Sequence, residues 1–183
     1  MIQHGSFGSP ESNWFPWLKA KVTAKRHKCL TPRLITNKNK QNLSAWLSEF
    51  QHQVPQLNKR TILVGHSIAC AFFISMLEQR KTPVKASFLV SGFLKNPGGD
   101  PVYEKVNRTF LNLRHNWKLI RNLCGKIYQY GANDDPYVPY AKQKELADNL
   151  HVKIKVINQG GHLNSESGFT KFPQLWEDLN KLL

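Results

Sequence analysis

With 183 residues and 40% hydrophobic side chains, the chain has enough apolar material for one folded unit spanning 1–183. No apolar run approaches the ~20 residues that cross a bilayer, and Met1-Ile2-Gln3-His4-Gly5 lacks the basic start and apolar core of a secretory signal, so a cytoplasmic protein without a membrane span is expected. The formal net charge is +14, and Lys19, Lys21, Lys25, Arg26, Lys28, Arg33, Lys38 and Lys40 crowd one region. That region carries no recognition-helix pattern, aromatic RNA-binding signature or zinc-ligand spacing, so a solvated basic face is the better account and a nucleic-acid partner is not expected. An acidic protein partner stays open. Cys29, Cys70 and Cys124 are odd in number and lack metal-ligand spacing, which implies reduced thiols and no metal site.

Met1 to Gln3 reads as a short first strand running into the glycine-containing loop His4 to Pro10. Trp14, Trp17, Leu18 and Val22 predict a helix from Trp14 to about Lys28, with Pro16 tolerated in its first turn. His27 to Leu34 reads as a short strand ending at Pro32, and Leu43, Trp46, Leu47 and Phe50 predict a helix from Asn42 to about His52. Thr61 to Val64 is a strand, Ile68 to about Arg80 a helix, and Val84 to Val90 a second buried strand.

The stretch 94–117 opens with the turn-rich Asn96-Pro97-Gly98-Gly99-Asp100-Pro101 and turns partly helical from Phe110. It is either a cover over a site or a plain surface connection. Lys126 to Tyr130 is a strand, Ala141 to Leu150 a helix, Val152 to Ile157 an alternating half-buried strand, and Phe172 to Leu183 a final helix. Strands alternating with helices predict an α/β fold, a mainly parallel sheet with helices on both faces.

Three predicted strand ends carry reactive side chains. Gly65-His66-Ser67-Ile68-Ala69 joins the strand at Val64 to the following helix, and a serine on such a sharp turn stands exposed at the sheet's carboxyl edge. Small residues two before and two after the serine suit the close passage of strand and helix. The second strand end is Gly131-Ala132-Asn133-Asp134-Asp135-Pro136, and the third, Asn158-Gln159-Gly160-Gly161-His162, puts a histidine on a flexible loop.

The order serine, acid, histidine is that of a nucleophilic triad on this kind of sheet. Ser67 would be the nucleophile, His162 the base and Asp135 the acid that orients it. Asp134 competes with Asp135, and position just before the turn favours Asp135. His66 points away from its neighbour at a sharp elbow and is expected to be structural. An oxyanion would be held by the N–H of Ile68 and of Ser6, with Phe7 as the alternative to Ser6. No metal or organic cofactor is called for.

His4-Gly5, Ser9-Pro10-Glu11, Asn13-Trp14-Phe15-Pro16-Trp17-Leu18, Gly65-His66-Ser67, Asp134-Asp135-Pro136-Tyr137-Val138-Pro139 and Gly161-His162 together resemble the small serine hydrolases of the retinoblastoma-binding-protein-9 and YdeN type over nearly the whole chain. The resemblance implies a compact single-domain α/β-hydrolase without a large cap domain, and a triad of Ser67, Asp135 and His162. Cleavage of small carboxylic esters through an acyl-serine is the expected function, with thioesters and amides as further substrates. The alternative is an interaction protein on a hydrolase scaffold, binding an acidic partner or nucleic acid through its basic surface.

Overall fold

The runs around Leu63 and Leu89 are apolar on both faces, as strands in the middle of a covered parallel sheet must be. In the computed structural model, which describes residues 1–54 and 56–183, they form β2 (Ile62–His66) and β3 (Ala86–Val90), and every residue in both is buried. β1 (Ile2–Gln3) flanks them on one side, and β4 (Lys126–Gly131) and β5 (Ile154–Val156) on the other. The sheet runs β1-β2-β3-β4-β5 with each neighbouring pair parallel. All carboxyl ends therefore emerge at one edge, where ligands bind in open sheets of this kind.

The pleat divides the apolar side chains between two layers. Ile62, Val64, Phe88 and Val90 face α1 (Phe15–Ala24) and the C-terminal helix, packing with Trp14, Leu18, Leu175 and Leu179. Leu63 and Leu89 face the opposite layer, built from α2 (Leu43–Gln53), α3 (Ile68–Arg80), α5 (Trp117–Leu123) and α6 (Tyr140–Leu150). The short α4 (Pro101–Asn107) lies in the connection from β3 to β4, and α7 (Pro173–Asn180) closes the chain. α3 is buried continuously from Ile68 to Leu77, which explains why it is apolar all round rather than on one stripe.

One predicted strand does not form. His27 to Leu34 is irregular, and among the described residues its single ladder-like contact is the Ile2 N–H donating to the Leu30 carbonyl at 2.9 Å. Pro32 has no N–H to offer a neighbouring strand, and the donors after it go to side chains instead. Arg33 N reaches Gln53 Oε1 at 3.0 Å, Leu34 N reaches His4 Nε2 at 3.1 Å, and Ile35 N reaches Glu49 Oε2 at 2.8 Å. Residues 94–117 also resolve differently from expectation. The first helix there is α4, capped by Asp100 through Val102 N at 2.7 Å, and regular helix resumes only at Trp117.

Candidate active site

Ser67 stands between β2 and α3 with φ 60° and ψ −127°, a backbone region that side-chain-bearing residues rarely adopt. Its N–H is held by the Val90 carbonyl at 2.8 Å, so the strain is locked in by the neighbouring strand. The turn needs glycine behind it. A Cβ at Gly65 would come within 2.8 Å of the Phe73 ring, and one at Gly5 within 3.0 Å of Ser67 Cβ. Gly5 thus brings the loop after β1 hard against the serine. Among the described residues the Ser67 hydroxyl has no hydrogen-bond partner, nor has the N–H of Ser6 or of Ile68.

Asp135 and His162 are brought into contact. His162 Nδ1 lies 2.8 Å from Asp135 Oδ2, with 0% of the Asp135 side chain and 9% of the His162 side chain exposed. Asp135 Oδ1 accepts from Tyr137 N at 2.9 Å and Val138 N at 3.0 Å, and Oδ2 also accepts from Gln143 Nε2 at 3.2 Å. A carboxylate with those partners requires the proton of neutral His162 to sit on Nδ1, which leaves Nε2 as a base.

Asp134 points elsewhere: its Oδ1 accepts from Gly160 N and Gly161 N, both at 3.1 Å. That pins the loop in front of His162, and further bonds hold the loop beyond it. His66 Nε2 at 2.9 Å and Ser91 Oγ at 3.2 Å both donate to the His162 carbonyl, His162 N donates to Ser167 Oγ at 3.1 Å, and Trp14 Nε1 donates to the Leu163 carbonyl at 2.9 Å. The histidine loop expected to be flexible is instead bound at every residue from Gly160 to Leu163.

His66 is the structural residue that its place in the elbow suggested, but with a defined task. Burial, and then the neighbouring His162, hold its imidazole down to about 3, so it stays neutral and can donate to the His162 carbonyl. Sequence reasoning missed Gln143, Ser91 and Ser167, which support the acid and the histidine from other elements; nothing in their local sequence marks them.

Ser67, His66 and His162 open into one cleft of about 330 Å³, whose walls also include Gly5, Ser6 and Tyr137. The Ser6 hydroxyl donates to Asn107 Oδ1 at 2.6 Å and accepts from Gln41 Nε2 at 2.7 Å. These bonds tie the loop after β1 to the end of α4, so the 94–117 connection forms part of the cleft wall. Phe7, the alternative to Ser6, has φ 56° and is exposed at the cleft. Among the described residues no group of three or more histidine, cysteine, aspartate or glutamate side chains is arranged to hold a metal, and the three cysteines are free.

The sequence profile of the Serine hydrolase family matches residues 1–181. The chain belongs to this family. Similar proteins include YdeN of Bacillus subtilis (strain 168), 27% identical over 97% of this chain and 92% of its own, and the serine hydrolase RBBP9 of Rattus norvegicus, 27% identical over 93% of this chain and 86% of its own. The crystal structure of the B. subtilis ydeN gene product superimposes with a TM-score of 0.87, covering 99% of this chain and 96% of that one. Est1E from Butyrivibrio proteoclasticus, at 13% identity and a TM-score of 0.64 over 88% of this chain and 78% of its own, shares the fold. The basic residues from Lys19 to Lys40 lie exposed, with Arg33 paired to Glu11 at 2.6 Å. No helix among the described residues is long and apolar enough to cross a membrane.

Proposed function

We propose that the protein hydrolyses small carboxylic esters through an acyl-serine formed on Ser67. The observation that carries this reading is the Asp135–His162 pair, whose bonding leaves Nε2 free as a base in the same cleft as the strained, unbonded Ser67 hydroxyl. Apo geometry of this kind often tightens only when substrate is bound.

In the first half-reaction Ser67 Oγ attacks the ester carbonyl carbon while His162 Nε2 takes the hydroxyl proton. The carbonyl oxygen becomes an oxyanion, for which the free N–H groups of Ile68 and Ser6 are the donors. Asp135 stabilises the imidazolium without itself becoming protonated. When the carbon–oxygen bond to the leaving group breaks, His162 passes its proton to that oxygen and the alcohol departs. Water then attacks the acyl-serine with His162 again as base, releasing the carboxylic acid and restoring the serine. Thioesters and amides differ only in the atom that receives the proton.

The test is labelling by a neutral fluorophosphonate together with hydrolysis of chromogenic esters. Parent protein should be labelled at Ser67. Ser67→Ala should lose both labelling and, on the order of 10³-fold or more, esterase turnover. Robust hydrolysis by Ser67→Ala would remove the mechanism.

A further inference from the structure

The cleft carries a charge opposite in sign to the rest of the molecule. The chain has a net charge of +14, yet among the described residues the cleft walls contain no lysine or arginine, and their ionised side chains are Asp100 and Glu166. Three large rings also stand there in contact with solvent: Phe7 is 43%, Tyr103 39% and Tyr137 43% exposed.

The rings form a row. Phe7 meets Tyr103 edge-on at 5.1 Å, Tyr103 lies 6.2 Å from Tyr137 in near-parallel planes, and Tyr137 meets the His162 imidazole edge-on at 5.2 Å. Glu166 is fastened to this row, its Oε2 accepting from the Tyr137 hydroxyl at 2.8 Å and from Asn164 Nδ2 at 3.2 Å. Burial, followed by the charges of Glu166 and Asp100, pushes the Tyr103 phenol up, so both carboxylates act on the same ring.

A neutral apolar substrate would cover the rings but gain nothing from the carboxylates, and an anionic one would be repelled by them. An alkylammonium cation is attracted both by ring faces and by negative charge. The side on which it sits follows from the proton path. His162 hands its proton to the leaving oxygen, so the group on that oxygen lies on the histidine's side of the cleft, and Tyr137 is the ring against that histidine. We infer that the cleft selects esters whose alcohol half carries an alkylammonium cation, received by the Tyr103–Tyr137 row and the carboxylates of Glu166 and Asp100. The inference rests on Ser67 being the nucleophile.

The experiment compares kcat/KM of the full chain for choline butyrate, for its neutral isostere in which carbon replaces the ammonium nitrogen, and for a butyrate ester bearing the trimethylammonium group on the acyl half. The choline ester should exceed the neutral isostere by on the order of tenfold at low salt, with the ratio shrinking as salt screens the carboxylates. Glu166→Gln combined with Asp100→Asn, both at exposed positions, should cut that ratio to the about two- to fivefold that the ring faces alone supply.

A parent ratio at or below one overturns the inference, as does a ratio that the double substitution leaves undiminished. An equal gain from the acyl-half cation overturns the assignment to the alcohol side. Turnover of the neutral isostere with no cation preference refutes the selectivity while leaving the hydrolase reading intact. Absence of both turnover and fluorophosphonate labelling refutes the hydrolase reading, and the selectivity with it.

Discussion

Asp135→Asn and Asp134→Asn should have opposite consequences although the residues are adjacent. At position 135 the amide oxygen must stay where Oδ1 is, because Tyr137 N and Val138 N both donate to it at 2.9 and 3.0 Å. The amide nitrogen then takes the place of Oδ2 and points N–H groups at His162 Nδ1, 2.8 Å away, and at Gln143 Nε2, 3.2 Å away. Nδ1 becomes an acceptor, the imidazole proton moves to Nε2, and Nε2 is lost as a base. A wrong tautomer in an otherwise intact triad costs about 10³- to 10⁴-fold in kcat, or about 4–5.5 kcal/mol on the barrier. At position 134 the amide oxygen still accepts from Gly160 N and Gly161 N, so the loop stays pinned and the loss should remain below about tenfold. Steady-state hydrolysis of a chromogenic ester by both variants, with thermal melts to confirm folding, is the assay. Comparable losses in the two variants, or an Asp135→Asn enzyme within about tenfold of the parent, would refute this division of roles.

Ser67→Gly should remove activity yet raise the melting temperature, because glycine accepts φ 60° freely; relief of strain exceeds the added unfolded-state entropy by on the order of 1 kcal/mol, and a lower melting temperature would contradict locked strain. Gly65→Val should destabilise by about 1–3 kcal/mol or prevent folding, since even a Cβ there meets Phe73 at 2.8 Å; a variant as stable as the parent in urea would show that the helix can shift away. Acid should weaken the fold through His66. Its native imidazole is held down to about 3 while an unfolded histidine titrates near 6.5, so the unfolded chain binds the extra proton between those values. That stability is complete above about pH 6.5 and declines as pH falls toward 3, at about 1.4 kcal/mol per pH unit. His66→Gln, which can still donate to the His162 carbonyl, should flatten the slope of urea-derived stability against pH in that window; an unchanged slope would contradict the burial of a neutral imidazole.

Local sequence was enough for the elements whose patterns are set by burial along one segment. α3 runs from Ile68 to Arg80 as its apolar stretch predicts, and the strands before Ser67 and Ser91 follow from apolar runs too short for helices. His27 to Leu34 misled because its apolar residues fit a strand while its donors after Pro32 are taken by Gln53, His4 and Glu49, side chains distant along the chain. For the candidate site, composition and order named the side chains at three strand ends. What each does depends on where its atoms point, which no short window contains.

Two neighbouring aspartates illustrate the division. The sequence alone determined that an acid would stand at the carboxyl end of β4, because a strand followed by Asp-Asp-Pro must turn there. Only the folded chain decided that Asp135 turns to His162 while Asp134 turns to Gly160 and Gly161. The rigidity of the histidine loop was likewise invisible in Gly160-Gly161, two residues that by themselves imply freedom. Asp134 holds the two glycines, and His66 of β2, Ser91 just after β3, Trp14 just before α1 and Ser167 hold the residues that follow, since a backbone donor or acceptor shut away from water must find a partner wherever the fold supplies one.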